Sequence, residues 1–456
     1  MFSIPRNLAV IFLVPAMMSC PIAVSAATLD PPEMSMDAPI SAIGLDDVMA
    51  AALAGDPGPA RKLLTRLPED PAAHEFLGIA LAKSGDLPGA RAAFEEALRL
   101  APGQYTAMTK LGDLALAEQD YRTARDYFDQ ALKLAPADRL THQRLGYLDA
   151  MDGDDDSAIR HYEAGLKGTA PEYLGVKRDL ALLYTRRGDH DRALDLLGPF
   201  VEATPPAPGV AAIAAEALTA TGKAEEATAV LRHAAKNDFA AAIALAKITA
   251  SSGDLAAAET TLSAAVAAMP DQPELAFELG ALRGLQRNYE GAAAAFDEGL
   301  RKAPHNPALL RGAMQAQARL GNMESALEFA QTLAASGDPG DIFLLADIQT
   351  RAGQPDAAVG SYRAVLDADG GNIPALNNLS LLLLDRGEIE EAVSLAQRAA
   401  KAAPKLAVVQ DTLGQVLLRQ GDVTAAVAAF ERAAELAPDR QDYRDRLEDA
   451  RKQHGE

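Results

Sequence analysis

Residues 76–102 read FLGIALAKSGDLPGARAAFEEALRLAP and contain one copy of the pattern that decides the fold. Phe94 follows the small residue Ala90 by four positions, so the two lie on the same face of a helix, one turn apart. Gly85 precedes Ala90 by five positions, and a residue without a Cβ readily adopts the left-handed conformation that ends a helix. Pro102 lacks the amide hydrogen that a helix needs. The stretch therefore predicts two helices joined by a tight turn.

The same pattern recurs along the chain at intervals of 31 to 35 residues. The small residue is always alanine, at Ala90, Ala124, Ala158, Ala193, Ala227, Ala258, Ala292, Ala326, Ala358, Ala392 and Ala426. Four positions later stands a larger apolar residue in nine of these eleven units, at Phe94, Phe128, Tyr162, Leu197, Leu231, Leu262, Phe296, Tyr362 and Phe430, whereas Ala330 and Ala396 are small. Glycine stands five positions before the alanine, except at Gln119 and Arg287. A fixed period of this length is typical of helical repeat proteins.

Eleven repeats are predicted to begin at residues 71, 105, 139, 174, 208, 239, 273, 307, 339, 373 and 407. A twelfth, degenerate repeat covers 41–70. The acidic residue after the turn glycine can cap the second helix, as at Asp86, Asp189, Asp254 and Asp422. Residues 440–453 are predicted to form a charged C-terminal helix that caps the array.

The composition agrees with an all-α fold. Aromatic residues make up 5% of the chain and Trp is absent, so Ala and Leu, both strong helix formers, carry the apolar fraction. The formal net charge is −21. Because phosphate groups would repel such a chain, its charge argues against nucleic acid and anionic lipid as partners.

These features resemble the tetratricopeptide repeat family, most clearly in residues 76–102, 110–136 and 412–438. The resemblance covers about residues 41–440, although the family's frequent early Trp is missing and 208–240 is poorly marked. It implies a right-handed superhelical solenoid of antiparallel helix pairs, with about 11–12 repeats and a C-terminal capping helix.

The resemblance also implies a concave groove lined by the first helix of each pair. Its second, fifth, ninth and twelfth positions supply the candidate binding residues Glu75, Thr109, Asp113, Gln143, Tyr147, Arg178, Glu216, Lys247, Arg311, Gln315, Asp347, Asn377, Asp411 and Gln415. Such a mixed polar wall suits a protein or peptide partner. The Lys/Asn/Arg cluster with which some relatives hold a C-terminal carboxylate is not reproduced in consecutive repeats, so that ligand is not predicted.

The N-terminal segment predicts export. Arg6 precedes an apolar run over 8–18, and small residues follow at 24–27, the pattern of a signal peptide cleaved after Ala26. The alternative is a lipoprotein with a lipid on Cys20, the single cysteine. A periplasmic location follows from the first interpretation, and a membrane-anchored one from the second. Residues 27–40 are predicted to form a disordered leader.

The array is predicted to have a joint. Residues 204–209 read TPPAPG, and the helices after them are rich in alanine, which buries little apolar area. The predicted organisation is therefore an N-terminal array over 41–204, a flexible Pro-rich joint at 205–210, a C-terminal array over 211–438, and the capping helix and tail over 439–456.

Motifs for catalysis or metal binding are missing from the sequence. The seven histidines form no His-Glu-x-x-His pair, and neither a phosphate-binding loop nor a dinucleotide motif occurs. The acidic run 152–156 lacks the alternating spacing of calcium loops. We therefore expect neither an enzyme nor a bound cofactor or metal.

The leading hypothesis from the sequence is a non-catalytic periplasmic adaptor. It would hold together subunits of an envelope assembly, in polysaccharide export, secretion or outer-membrane assembly, and would meet the membrane only through partners or through a lipid on Cys20. Two alternatives remain: a chaperone-like holder of exported polypeptides, and the repeat subunit of a separately encoded enzyme.

Overall fold

The computed structural model describes residues 45–167, 174–203 and 207–455. The predicted signal peptide, the leader, Cys20 and part of the predicted joint lie outside the described residues. Within them the chain forms 25 α-helices and no β-strand, which confirms the all-α prediction. In each repeat we call the first helix the A helix and the second the B helix.

The described helices form two compact units that divide between Leu231 and Arg232. The first unit contains α1 (Leu45–Leu53), α2 (Gly58–Leu64), α3 (Pro71–Ser84), α4 (Leu87–Leu100), α5 (Tyr105–Ala117), α6 (Tyr121–Leu134), α7 (Arg139–Met151), α8 (Asp155–Leu166), α9 (Leu174–Arg187), α10 (His190–Val201) and α11 (Ala211–Ala220). The boundary falls within α12 (Ala224–Ala234).

The second unit contains the remaining helices. These are α13 (Phe239–Ser251), α14 (Leu255–Ala268), α15 (Pro273–Leu285), α16 (Tyr289–Lys302), α17 (Pro307–Leu320), α18 (Met323–Ala334), α19 (Pro339–Arg351), α20 (Pro355–Ala368), α21 (Ile373–Asp385), α22 (Ile389–Ala402), α23 (Ala407–Gln420), α24 (Val423–Leu436) and α25 (Gln441–His454). In both units the odd-numbered helices up to α23 are A helices and the even-numbered ones are B helices.

The predicted repeat boundaries agree closely with these helices. Each predicted start coincides with the first residue of an A helix except 208, because α11 begins at Ala211. The capping helix is α25, which buries Tyr443 and Ala450 against the end of the array. Its remaining surface is charged, and a polar outer face is what the end of a repeat array requires.

The turn between the A and B helices has the left-handed backbone that the glycine pattern predicts. Gly85 has φ 89° and Gly421 has φ 96°. In six repeats the residue after the turn caps the B helix with its side chain: Asp86, Asp120, Asp154, Asp254, Asn288 and Asp422. The predicted cap at Asp189 was wrong, since this carboxylate makes no cap hydrogen bond and instead lies 3.5 Å from Arg187 Nε.

Two repeats force a residue with a side chain into the same left-handed backbone, since Gln119 and Arg287 both have φ 62°. This conformation costs an L-residue about 1–2 kcal/mol, and the larger entropy of glycine in the unfolded chain offsets about 0.5–1 kcal/mol of that. We expect Gln119→Gly and Arg287→Gly each to stabilise the protein by about 0.5–1 kcal/mol. The thermal unfolding midpoint measures the change. Gly85→Gln, at a position with open space around the Cβ, should lower the midpoint, and an unchanged midpoint in all three variants would contradict the argument.

In five repeats the B-helix aromatic packs directly on an A-helix glycine. A Cβ added to Gly112 would lie 2.4 Å from the Phe128 ring, and one added to Gly280 would lie 2.6 Å from the Phe296 ring. Since real Cβ contacts are longer than this, only glycine leaves room for the ring. The glycine that recurs twelve positions before the repeat alanine is therefore required by close packing of the two helices.

The sizes of these two positions compensate each other from repeat to repeat. Glycine stands opposite an aromatic residue at Gly78/Phe94, Gly112/Phe128, Gly146/Tyr162, Gly280/Phe296 and Gly414/Phe430. Alanine pairs by position with leucine at Ala181/Leu197, Ala215/Leu231 and Ala246/Leu262, and a larger residue pairs with alanine at Met314/Ala330 and Ser380/Ala396. Ala346 with Tyr362 departs from this rule. The combined volume is similar in the glycine–aromatic, alanine–leucine and Met314/Ala330 pairs, whereas Ser380/Ala396 is smaller.

Candidate interaction surface

Five pairs of neighbouring A helices contact each other directly. Such contacts join α1 to α3 and α9 to α11 in the first unit, and α13 to α15, α15 to α17 and α21 to α23 in the second. Among the described helices, no two B helices approach each other to a comparable extent. We call the fifth and ninth residues of successive A helices the inner row, because they are the predicted groove positions and belong to the more closely packed side of each unit.

Thr109 and Asp113 of the inner row are buried by contacts with the next repeat. The Thr109 hydroxyl lies 2.9 Å from that of Thr141, and an Asp113 carboxylate oxygen accepts a 2.7 Å hydrogen bond from Arg144 Nε. The second Asp113 oxygen is 3.8 Å from Lys110 Nζ, and the Lys110 and Asp113 side chains are only 3% and 4% exposed. These predicted binding residues thus hold neighbouring A helices together.

Four other predicted groove residues belong to the first unit. Gln143 is buried, with only a long 3.5 Å contact from its amide nitrogen to the Gly165 carbonyl. Tyr147 is half-buried, and burial raises the pKa of its hydroxyl. Arg178 pairs with the adjacent Asp179 at 2.9 Å, and Glu216 is exposed.

Glu75 is the buried carboxylate at the start of this row. It accepts hydrogen bonds from Gln104, which directly precedes α5, and, at 3.0 Å, from the Thr106 hydroxyl of α5. Burial nevertheless raises the pKa of Glu75, because desolvation of the charged form outweighs these hydrogen bonds. Like Asp113, Glu75 ties adjacent repeats together.

In the second unit, three inner-row candidates form ion pairs with a neighbouring helix. Lys247 Nζ lies 3.2 Å from Glu278, and Arg311 donates to Asp341 at 2.7 Å. Asp411 accepts from Arg446 of α25 at 2.7 Å and from Gln415 at 2.8 Å. These ion pairs fix the positions of three side chains at predicted groove positions.

The remaining candidates, Gln315, Asp347 and Asn377, are not bound in this way. Gln315 and Asp347 are half-buried, whereas Asn377 is fully buried. Sequence reasoning selected only polar residues and so missed Phe277 and Phe343, which occupy the fifth position of their A helices and are half-buried. Their position in the repeat was the signal that could have identified them. Whether the inner row binds a partner stays a prediction.

The predicted packing residues are all buried. Exposure does not exceed 5% at any of Ala90, Phe94, Ala124, Phe128, Ala158, Tyr162, Ala292, Phe296, Ala426 and Phe430. The alanines allow close approach of two helices, and the rings fill the space beside them.

The acidic run 152–156 is used for helix capping and ion pairs. Asp154 accepts a 3.0 Å hydrogen bond from the Ser157 amide at the start of α8. Asp152 pairs with Arg125 at 2.8 Å, and Asp156 with Arg187 at 2.8 Å. The described part of the chain contains no group of three or more His, Cys, Asp or Glu side chains arranged to hold a metal ion.

Family models for the tetratricopeptide repeat match most of the array. One model matches residues 49–105, 109–173, 243–307, 285–341 and 412–444, which is more than half of the chain. The chain belongs to the tetratricopeptide repeat family. Two further models of this repeat match residues 349–416 and 175–199. Residues 200–242 lie between the matched segments and include the poorly marked repeat.

Several solved structures resemble the fold at low identity. The APC/C hetero-tetramer Cut9–Hcn1 is 13% identical, with TM-score 0.41, over 90% of this chain and 88% of that one. Yeast Tom70 is 16% identical, with TM-score 0.38, over 90% and 96%. YrrB, described as having an unusual peptide-binding site, is 16% identical, with TM-score 0.35, over 42% and 97%. No curated protein sequence is significantly similar to this chain.

Tetratricopeptide repeat proteins are in general scaffolds that bind other proteins or peptides. None of the described helices has the length and apolar character needed to cross a bilayer.

Proposed function

We propose that this protein is a non-catalytic scaffold of the periplasm, which binds subunits of an envelope assembly through the inner row. The observation that carries the proposal is the row of polar side chains held in place by cross-repeat contacts, such as Arg311 with Asp341 and Asp411 with Arg446. Binding a partner usually costs entropy, because flexible side chains must be ordered. For the side chains of the row that are paired in this way, ordering has already occurred on folding, so little further entropy is lost when a partner binds.

The export half of the proposal rests on the N-terminal sequence. A positive charge at Arg6, an apolar run over 8–18 and small residues at 24–27 are the features that signal peptidase substrates share. We expect osmotic shock to release the protein from a Gram-negative host. Its mass should be that of the chain cleaved after Ala26. Retention in the cytoplasm at full length would contradict it.

Site-specific photocrosslinking tests the scaffold half. We expect benzoylphenylalanine at Gln315, on the inner row, to give discrete adducts in envelope extracts. The matched control is benzoylphenylalanine at Glu328, an exposed residue on the B helix α18 of the same repeat. The proposal fails if Gln315 gives no reproducible adduct, or if both positions give the same adducts.

A further inference from the structure

Two buried oxygen atoms at the junction of the first two complete repeats have no hydrogen-bond partner among the described residues. They are Oε1 of Glu75, on α3, and Oε1 of Gln104, the residue directly before α5. Glu75 as a whole is only 5% exposed. Because buried polar atoms are nearly always hydrogen-bonded, two such acceptors in side chains that touch each other require an explanation.

The other polar atoms of these two side chains are already paired with each other. Gln104 Nε2 donates a hydrogen bond to Glu75 Oε2, and the Thr106 hydroxyl donates to the same oxygen at 3.0 Å. Oε2 therefore accepts two hydrogen bonds, whereas Oε1 accepts none. If Glu75 is ionised, its Oε1 cannot pair with Gln104 Oε1, because a carboxylate oxygen and an amide oxygen are both acceptors.

A single proton on Glu75 would satisfy both oxygens. A protonated carboxyl group carries one O–H donor, and Gln104 Oε1 is the acceptor that lacks a donor. The carboxyl group and the amide would then share two parallel hydrogen bonds, one from Nε2 to Oε2 and one from Oε1 to Oε1. Neutral Glu75 would also avoid the cost of burying a charge. The unpaired atoms are thus those that a neutral acid uses.

The charged surroundings of Glu75 leave its burial as the dominant effect. Burial raises the pKa of this carboxyl group above its ordinary value of 4.5. Lys110 of α5 favours the ionised form, but its ammonium group also lies 3.8 Å from Asp113. The other described charged side chains on elements packed against α3 are exposed, cap a helix or pair elsewhere: Asp47 on α1, Arg61 and Lys62 on α2, Asp70 before α3, and Arg91, Glu95, Glu96 and Arg99 on α4.

We propose that Glu75 and Gln104 form a proton-dependent lock between the first two complete repeats. In the locked state, neutral Glu75 donates from Oε1 to Gln104 Oε1 and accepts from Gln104 Nε2. When the pH rises, the proton leaves to solvent through the surface groove that Gln104 lines together with residues 66–72. The carboxylate then faces the amide oxygen without a donor between them, so α3 and the start of α5 are held together less firmly. This inference is independent of the partner that the inner row binds.

The lock has a defined dependence on pH. The unfolded chain releases the proton of Glu75 near the ordinary value of 4.5, whereas the folded chain keeps it to a higher pH. In the interval between these two values the folded state holds more protons than the unfolded state, so its stability falls as the pH rises. The contribution of Glu75 is complete below 4.5 and is lost as the pH passes the raised pKa.

Glu75→Gln in the full chain tests the lock, because an amide has the shape of the neutral acid and cannot ionise. Its nitrogen can donate to Gln104 Oε1, and its oxygen can accept from Gln104 Nε2. We expect the urea midpoint of the parent to fall relative to that of Glu75→Gln as the pH is raised from about 5 to about 8. Hydrogen exchange in α3 and α5, compared between the two proteins at each pH, shows whether the loss is local.

A direct titration and a matched control make the result specific. Carbon NMR of a chain labelled at the glutamate carboxyl carbons follows Glu75, whose signal is the one missing from Glu75→Gln. We expect this signal to titrate above 4.5. Glu95→Gln removes the same charge from an exposed position on α4, so its urea midpoint should follow that of the parent at every pH.

Three results would overturn the inference. One is a Glu75 signal that titrates at or below 4.5, because the carboxyl group would then be ionised where the lock requires a proton. Another is a difference between the parent and Glu75→Gln that is the same at every pH, which indicates a purely structural role. The third is an equal pH-dependent gain in Glu95→Gln, since that gain would come from the overall charge of the chain.

Discussion

Replacing Asp113 by alanine should destabilise the first unit by about 3–5 kcal/mol, the loss typical of breaking a buried ion pair by removing one partner. Asp113 lies between Lys110 and Arg144, at 3.8 Å and 2.7 Å. Its removal takes a counter-charge from each of these cations, and Lys110 is almost completely buried. The large effect arises because these charges stay desolvated after their counter-charge is lost. The midpoint of urea unfolding, together with hydrogen exchange in α5 and α7, measures the change.

A matched control is Asp156→Ala, which removes an exposed carboxylate paired with Arg187 at 2.8 Å. Because water solvates both of its groups, we expect no measurable change in stability. The variant in which Asp113, Lys110 and Arg144 are all replaced by apolar residues of similar size should recover much of the lost stability, since no unpaired charge remains. An Asp113→Ala protein as stable as the parent would refute the argument.

Gly280→Ala should destabilise the second unit by about 1–3 kcal/mol, the usual cost of overpacking a well-packed core. The added Cβ would lie 2.6 Å from the ring of Phe296, which is buried. That ring has no free side to move to, because a Cβ on Gly312 of the next A helix would lie 2.5 Å from it. The two helices of the repeat must separate or the ring must leave its rotamer. The midpoint of urea unfolding and hydrogen exchange in α15 and α16 measure the loss.

The same helix contains the control. Gly284 has no atom near its added Cβ, so Gly284→Ala should stabilise α15 by about 0.5–1 kcal/mol through helix propensity alone. The double variant Gly280→Ala with Phe296→Leu reproduces the alanine and leucine pair of other repeats, such as Ala246 with Leu262. It should be more stable than the sum of the two single changes predicts. Additive effects would show that the ring and the glycine do not compete for space.

The position of nearly every helix was predictable from the sequence. The A helices begin where the period places them, and the turn glycines adopt the left-handed backbone. The repeat alanines and the aromatics that follow them by four positions are buried. Two predictions about single positions were wrong. The helix α11 begins three residues after the predicted start, in the repeat that lacks clear markers, and Asp189 does not cap its helix.

The candidate site was predictable only as a set of positions. The repeat period identified Thr109, Asp347 and Asn377 as members of the inner row. It did not show that Thr109 contacts the neighbouring repeat through its hydroxyl, whereas Asp347 and Asn377 make no such contact. It also gave no reason for the glycine opposite each aromatic ring.

The sequence by itself determined the repeat, its helices and its turns, because these depend on backbone conformation and on residues three or four positions apart. Only the tertiary structure decided which polar side chains are already paired. Asp341 meets Arg311 across 30 residues of chain, and Arg351 turns from Asp347 to the carbonyl of Ala318, 33 residues away. Such pairings depend on side-chain rotamers and on differences of a few tenths of an ångström in the distance between repeats. The spacing of residues in the sequence encodes neither.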